Sequence, residues 1–173
     1  YNIPTNRIWL RDSGPIFLVN EINKNKILLN FKFNAWAKYS DYQKDNLINN
    51  KISKITKIKK INPIIKFNNE LKQVVLEGGA IDVNGKGSIL LTKECLLSKI
   101  QERNPGITKY VLENILKKYL NVTNFIWLNK GIEGDDTHGH IDDITRFVSE
   151  NTIMTAIEKN KKDKNYFNLK ENY

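Results

Sequence analysis

Ten consecutive residues, GDDTHGHIDD at 134 to 143, hold four aspartates and both histidines of a 173-residue chain. So many ionisable groups are costly to bury and unnecessary for solubility. Three readings fit. His138-Gly139-His140-Ile141-Asp142 has the H-x-H-x-D outline that ligates metal ions in some hydrolases, so a metal-dependent hydrolase using His138, His140 and Asp142 is one. A centre of that kind draws further ligands from elsewhere, and both histidines are already used. An imidazole beside carboxylates is, alternatively, an acid–base device that works near neutral pH. The third reading is a solvated polar loop. Against it, the apolar run ITRFVSENTIM follows at once, and loops at the ends of such strands commonly carry sites.

Two more acidic motifs share the outline of a carboxylate beside a glycine turn and a strand. In IWLRDSGPIF, the Gly14-Pro15 turn holds Asp12 in place, with Trp9 three residues before it. An aromatic face plus a carboxylate suits a planar cation such as guanidinium, which stacks on one side and takes paired hydrogen bonds on the other. The plainer alternative is a surface ion pair of Arg11 with Asp12 while Trp9 packs in the core. In VVLEGGAIDVNGKGSILLT, Glu77 stands between an apolar run and Gly78-Gly79, as a turn cap or a pocket acid. Gly85 and Gly87 fit a hairpin and lack the spacing of a phosphate-binding loop. Cys95, the single cysteine, is flanked by Leu96-Leu97, and apolar burial makes a thiol inert.

These residues need elements to position them. PIFLVN, KILLNFKF, NPIIKF, KQVVLEGG, SILLT, NFIWLN, ITRFVS and NTIMTAI read as short strands, rich in β-branched and aromatic residues. YSDYQKDNLINNKISKI and TKYVLENILKKYL read as helices. The second has Thr108 as N-cap and an apolar stripe of Val111, Ile115, Leu116, Tyr119 and Leu120. Strands alternating with helices indicate an α/β architecture. Asp12 precedes Glu77 by 65 residues and Glu77 precedes His140 by 63, which suggests repeated supersecondary units bringing equivalent turns to a common centre.

The length fits one domain over residues 1–173. The net charge of +9 favours acidic partners, yet the lysines are scattered through Asn/Ile/Lys-rich text and arginine is sparse, so no nucleic-acid groove is expected. No apolar run approaches the ~20 residues of a bilayer span, so no membrane role is expected. With one cysteine and no visible signal peptide, the expected location is cytoplasmic. The chain opens at Tyr1 inside strand-like text and ends without a cap, which suggests a piece of something longer.

Taken together, the motifs resemble the agmatine deiminase and bacterial-type peptidylarginine deiminase family. The matching residues are WLRDSGP at 9–15, FNAW at 33–36, LEGGAIDVNGKGSILLTKECLL at 76–97, RNPGIT at 103–108, IWLNKGIEGDDTHGHIDD at 126–143 and NYFNLKEN near the end. They run collinearly over nearly the whole chain and lie nearer the agmatine branch. The resemblance implies a pentein, a β/α-propeller of ββαβ units around a substrate pocket, here an incomplete ring. It implies that a cysteine attacks the guanidinium carbon and expels ammonia, and that water then hydrolyses the thiouronium. By motif position Asp12 and Asp142 grip the guanidinium nitrogens, Trp9 lines the pocket, Glu77 is a further pocket carboxylate, and His140 is the general acid–base. No metal or organic cofactor is implied.

Three departures matter. Nothing matches the Gly-rich motif that carries the family's nucleophile, and Cys95 falls on a position that is not the nucleophile in the family. The stretch before the Trp-x-Arg-Asp motif is missing. Asn84 and His138 stand where Asp is frequent. The expectation is therefore an agmatine-deiminase-like chain, hydrolysing agmatine to N-carbamoylputrescine and ammonia when intact and inactive as given. A homo-oligomer or a complementing C-terminal half would complete it. Peptidyl-arginine as substrate, or a non-catalytic guanidinium-binding remnant, stay open.

Overall fold

The computed structural model describes residues 1–67 and 69–173. The chain divides into two compact units, Tyr1–Gly78 and Gly79–Tyr173.

The first unit opens with a single helical turn, α1 (Leu10–Ser13), then β1 (Ile16–Val19) and β2 (Lys26–Leu29). The sequence suggests strand and turn for this stretch, so the helical turn at Asp12 is a correction. Two short 3₁₀ turns, Ala35–Ala37 and Asp45–Leu47, lead into α2 (Ile48–Thr56), followed by β3 (Lys59–Ile61) and the hairpin β4 (Ile64–Phe67) and β5 (Glu70–Gln73). β1 and β2 are antiparallel, with Ile16 opposite Leu29. β2 and β3 are parallel, with α2 in the crossover. Leu28, Leu29, Phe31 and Phe33 are buried, as the apolar run after Lys26 requires.

Two expected elements are shorter than the pattern suggests. The helix read over 39–55 begins only at Ile48, because the polar side chains before it serve distant backbone. Asp45 Oδ1 accepts the Asn6 and Arg7 N–H groups, and Asn46 exchanges two hydrogen bonds with the Phe33 backbone, at 2.9 and 2.7 Å. The strand read over 72–79 ends at Gln73, beyond which Val75 makes one isolated bridge to Lys32. Pro63 faces that end of the hairpin. Its carbonyl accepts Val74 N–H at 2.9 Å, but it has no N–H to continue the ladder.

The second unit repeats the plan. β6 (Asp82–Val83) and β7 (Ser88–Thr92) are antiparallel; α3 (Lys93–Leu97) and α4 (Lys109–Leu120) cross over; β8 (Asn124–Leu128) returns parallel to β7. Ile89, Leu90 and Leu91 are fully buried, the mark of a central strand covered on both faces. A third pair, β9 (Thr145–Ser149) and β10 (Thr152–Thr155), is antiparallel, and α5 (Tyr166–Asn172) closes the chain. Leu169 of α5 packs with Leu90, Leu128, Ile141 and Ile144. Thr108 caps α4 as expected, its hydroxyl accepting Val111 N–H. The buried stripe of α4 is Leu112, Ile115, Leu116 and Leu120; Leu112 takes the place expected for Val111.

Two ββαβ units therefore stand in sequence, and the repeat read from the acidic motifs is a repeat of structure. Asp12 lies four residues before β1, Glu77 five before β6, and His140 five before β9. Each lies just before the first strand of an antiparallel pair, β1–β2, β6–β7 or β9–β10.

Candidate functional site

In the first unit Asp12 sits in α1 and is buried. Its Oδ2 accepts a hydrogen bond from Trp36 Nε1 at 3.0 Å, so its setting is the interior and not the surface. Trp9 is 57% exposed, which removes the alternative that it packs in the core. Trp36 stands at the centre of an apolar cluster with Phe33 and Ala35, edge-on to Phe33 and Tyr39. Arg7 covers the cluster, its guanidinium 4.1 Å from the Tyr39 ring centre, and pairs with Asp41.

Glu77 is completely buried at the end of this unit. The next residue must be glycine, since a β-carbon on Gly78 would collide with the carbonyl of Arg11. That close approach packs the Glu77 loop against the turn that holds Asp12. The Gly-Gly pair thus has the close-approach function the sequence suggests.

In the second unit His140 is buried and Asp142 largely so. His140 Nδ1 and Asp142 Oδ1 are 3.8 Å apart, beyond hydrogen-bond length but within strong charge interaction if the imidazole is protonated. The loop carrying them is fixed from several sides. Asp135 Oδ1 accepts from the Thr137 N–H and hydroxyl at 2.7 and 2.6 Å, and Oδ2 from the N–H groups of Gly139 and His140 at 2.7 and 3.1 Å. Burial pushes the Asp135 carboxyl up, but these hydrogen bonds outweigh it and hold the group below its ordinary range. The buried Arg103 guanidinium donates to the carbonyls of Gln101 and Thr137. Thr92 donates its hydroxyl to the Gly139 carbonyl and accepts the Cys95 N–H as N-cap of α3.

Gly139 has φ +90°, where an L side chain is strained, and a β-carbon there would also press on the flexible Glu94 side chain, 2.9 Å from Oε2. Glu94 in turn accepts Gly131 N–H at 2.8 Å. His138 turns its Nε2 to Ser98 Oγ at 3.3 Å. Among the described residues, His138, His140 and Asp142 do not bring ligand atoms together as a cation site. Cys95 is buried as expected, yet its sulfur lies within 4.8 Å of a His140 ring nitrogen. Asp143 has its carboxyl pushed up to about 6, first by burial and then by the charges of Asp135 and Asp142.

Sequence reasoning assigned no role to Trp36, Asp135 or Arg103. Each lay inside a quoted motif, FNAW, GDDTHGHIDD or RNPGIT, so the signal was present but its use was not. What the chain assembles locally is a buried carboxylate hydrogen-bonded to an indole in one unit, and a His–Asp pair on a loop held by Asp135 in the other. A carboxylate can hold a cation, and an imidazole beside a carboxylate can move a proton.

The chain matches the Porphyromonas-type peptidyl-arginine deiminase family over residues 1–173 and belongs to it. A Legionella pneumophila (strain Paris) protein named "Putative agmatine deiminase" is 38% identical over 173 residues, covering 99% of this chain and 46% of that protein. The agmatine deiminase of Enterococcus faecalis, solved catalysing its reaction, superposes with a TM-score of 0.86 at 30% identity, over 99% of this chain and 45% of that one. A serine-for-cysteine variant of C. jejuni agmatine deiminase with substrate bound gives 0.84 at 34% identity, over 99% and 48%. The chain thus spans about half the length of the curated relatives it matches. No helix among the described residues is long and apolar enough to cross a membrane.

Proposed function

We propose that this chain is the substrate-gripping, acid–base portion of an agmatine-deiminase-type hydrolase built as a pentein propeller. Asp12 and Asp142 hold the guanidinium nitrogens, Glu77 is a further carboxylate, Trp9 lines the pocket, and His140 moves the protons. A cysteine thiolate adds to the guanidinium carbon; His140 protonates the departing nitrogen, which leaves as ammonia. The same imidazole then takes a proton from water as it attacks the thiouronium carbon, releasing the ureido product and the thiol. Agmatine and water become N-carbamoylputrescine and ammonia. Carboxylates that pin a permanently charged cation in attack geometry supply much of the rate.

The observation that carries this reading is the placement of Asp12, Glu77 and His140 four or five residues before three successive antiparallel strand pairs, in a chain of this family. Calorimetry tests it. Agmatine should bind, Asp12→Ala and Asp142→Ala should each abolish the heat, and wild-type heat from either variant sinks the assignment. A blocked arginine peptide run in parallel separates the agmatine from the peptidyl-arginine branch.

A second reading has one observation in its favour, the approach of Cys95 to His140. If Cys95 were the nucleophile, the chain alone would release ammonia from agmatine and Cys95→Ala would stop it. We expect no release, because Cys95 is sealed in the core.

A further inference from the structure

We propose that Trp36 is a positioning residue for guanidinium recognition: its indole N–H, presented by a left-handed backbone turn, sets the orientation of the Asp12 carboxylate. This rests on the reading of Asp12 as a guanidinium ligand.

Three successive residues that are not glycine, Ala35, Trp36 and Ala37, have φ of 49°, 59° and 53°. L-residues pay for that conformation, and it rarely persists for more than one position. Here it is imposed from outside. Asn34 Oδ1 accepts the Ala37 N–H at 2.9 Å, the Lys38 N–H reaches the Ala35 carbonyl at 3.1 Å, and Phe33 and Tyr39 hold the indole edge-on. Packing alone does not demand such a turn, since a right-handed one also buries an indole. The left-handed turn delivers Nε1 to 3.0 Å from Asp12 Oδ2, with both side chains buried. A carboxylate must offer a defined edge to a planar fork of N–H groups, and a buried hydrogen bond to one oxygen fixes that edge.

The three tryptophans make the test direct. Trp127 donates to Glu113, and Trp9 is exposed. The ¹H–¹⁵N spectrum of the chain is titrated with agmatine, its three indole signals assigned by single Trp→Phe substitutions. The Trp36 signal should move saturably while that of Trp127 stays in place. Trp36→Phe should keep the backbone spectrum and weaken agmatine by roughly 10- to 100-fold, the worth of one hydrogen bond to a charged group. Unchanged affinity in Trp36→Phe overturns the positioning role and leaves the guanidinium reading standing. If Trp36→Phe loses its native spectrum, the wild type decides: a Trp36 signal indifferent to saturating agmatine overturns the role. Absence of agmatine binding by the wild type overturns both.

Discussion

Asp143 is a residue whose protonation changes within the ordinary working range. Its carboxyl, near 6 in the folded chain against 3.8 for the free group, binds a proton more tightly folded than unfolded. Between about pH 4 and 6 the native state therefore holds the extra proton, and this group's contribution to stability falls as pH rises through that window. Asp135, held below 3.8, acts in a different window: its contribution is present above 3.8 and lost as pH falls further. Asp143→Asn should flatten the stability profile between pH 4 and 6. It should also stabilise the chain at pH 7.5 by on the order of 1 kcal/mol, because the site is solvent-screened. Urea unfolding at the two pH values measures it, and an identical slope in variant and wild type would refute the assignment. The sequence showed the four aspartates but not their division of labour. Which one accepts backbone N–H groups depends on a loop conformation, with His138 at φ 63° and Gly139 at 90°, that composition does not encode.

At the scale of elements, the strands were legible wherever apolar residues ran unbroken. SILLT and NFIWLN became β7 and β8, and Thr108 capped α4. The misread element lengths share one reason. Asp45, Asn46 and Pro63 act across long sequence separations, and local pattern cannot see their partners. The left-handed turn at Trp36 was invisible for a different reason: alanine and tryptophan carry no local signal for positive φ. Two substitutions weigh these effects. Thr108→Ala removes a helix cap and should cost about 1 kcal/mol. Gly139→Ala adds strained φ and a contact with Glu94, and should cost about 2–3 kcal/mol while displacing the loop that carries His140. Thermal unfolding of the pair gives the comparison; a smaller loss for Gly139→Ala would mean that the loop yields easily and does not hold the imidazole rigidly.

At the scale of the whole molecule, several large apolar side chains lie exposed at the surface. Ile8, Trp9 and Leu10 are exposed together in the first unit; Val148, Ile153, Met154 and Ile157 cluster on and beside the β9–β10 ribbon of the second. Among the described residues that ribbon pairs with no third strand; the Phe147 N–H of β9 is taken by Asp82 Oδ2 at 2.6 Å, so the more open edge is that of β10. Apolar side chains beside open edges are a template for association, and the net charge of +9 opposes it only at low salt. Sedimentation should therefore show an average mass that rises with concentration, more steeply in high salt. Ile153→Lys combined with Met154→Lys should shift the distribution toward monomer without changing the fold. A concentration-independent monomer in 0.5 M salt would mean that these residues are tolerated singly and that the ribbon edge is protected. Association that persists in the double variant would move the sticky surface to residues 8–10. There it would lie beside the turn that holds Asp12.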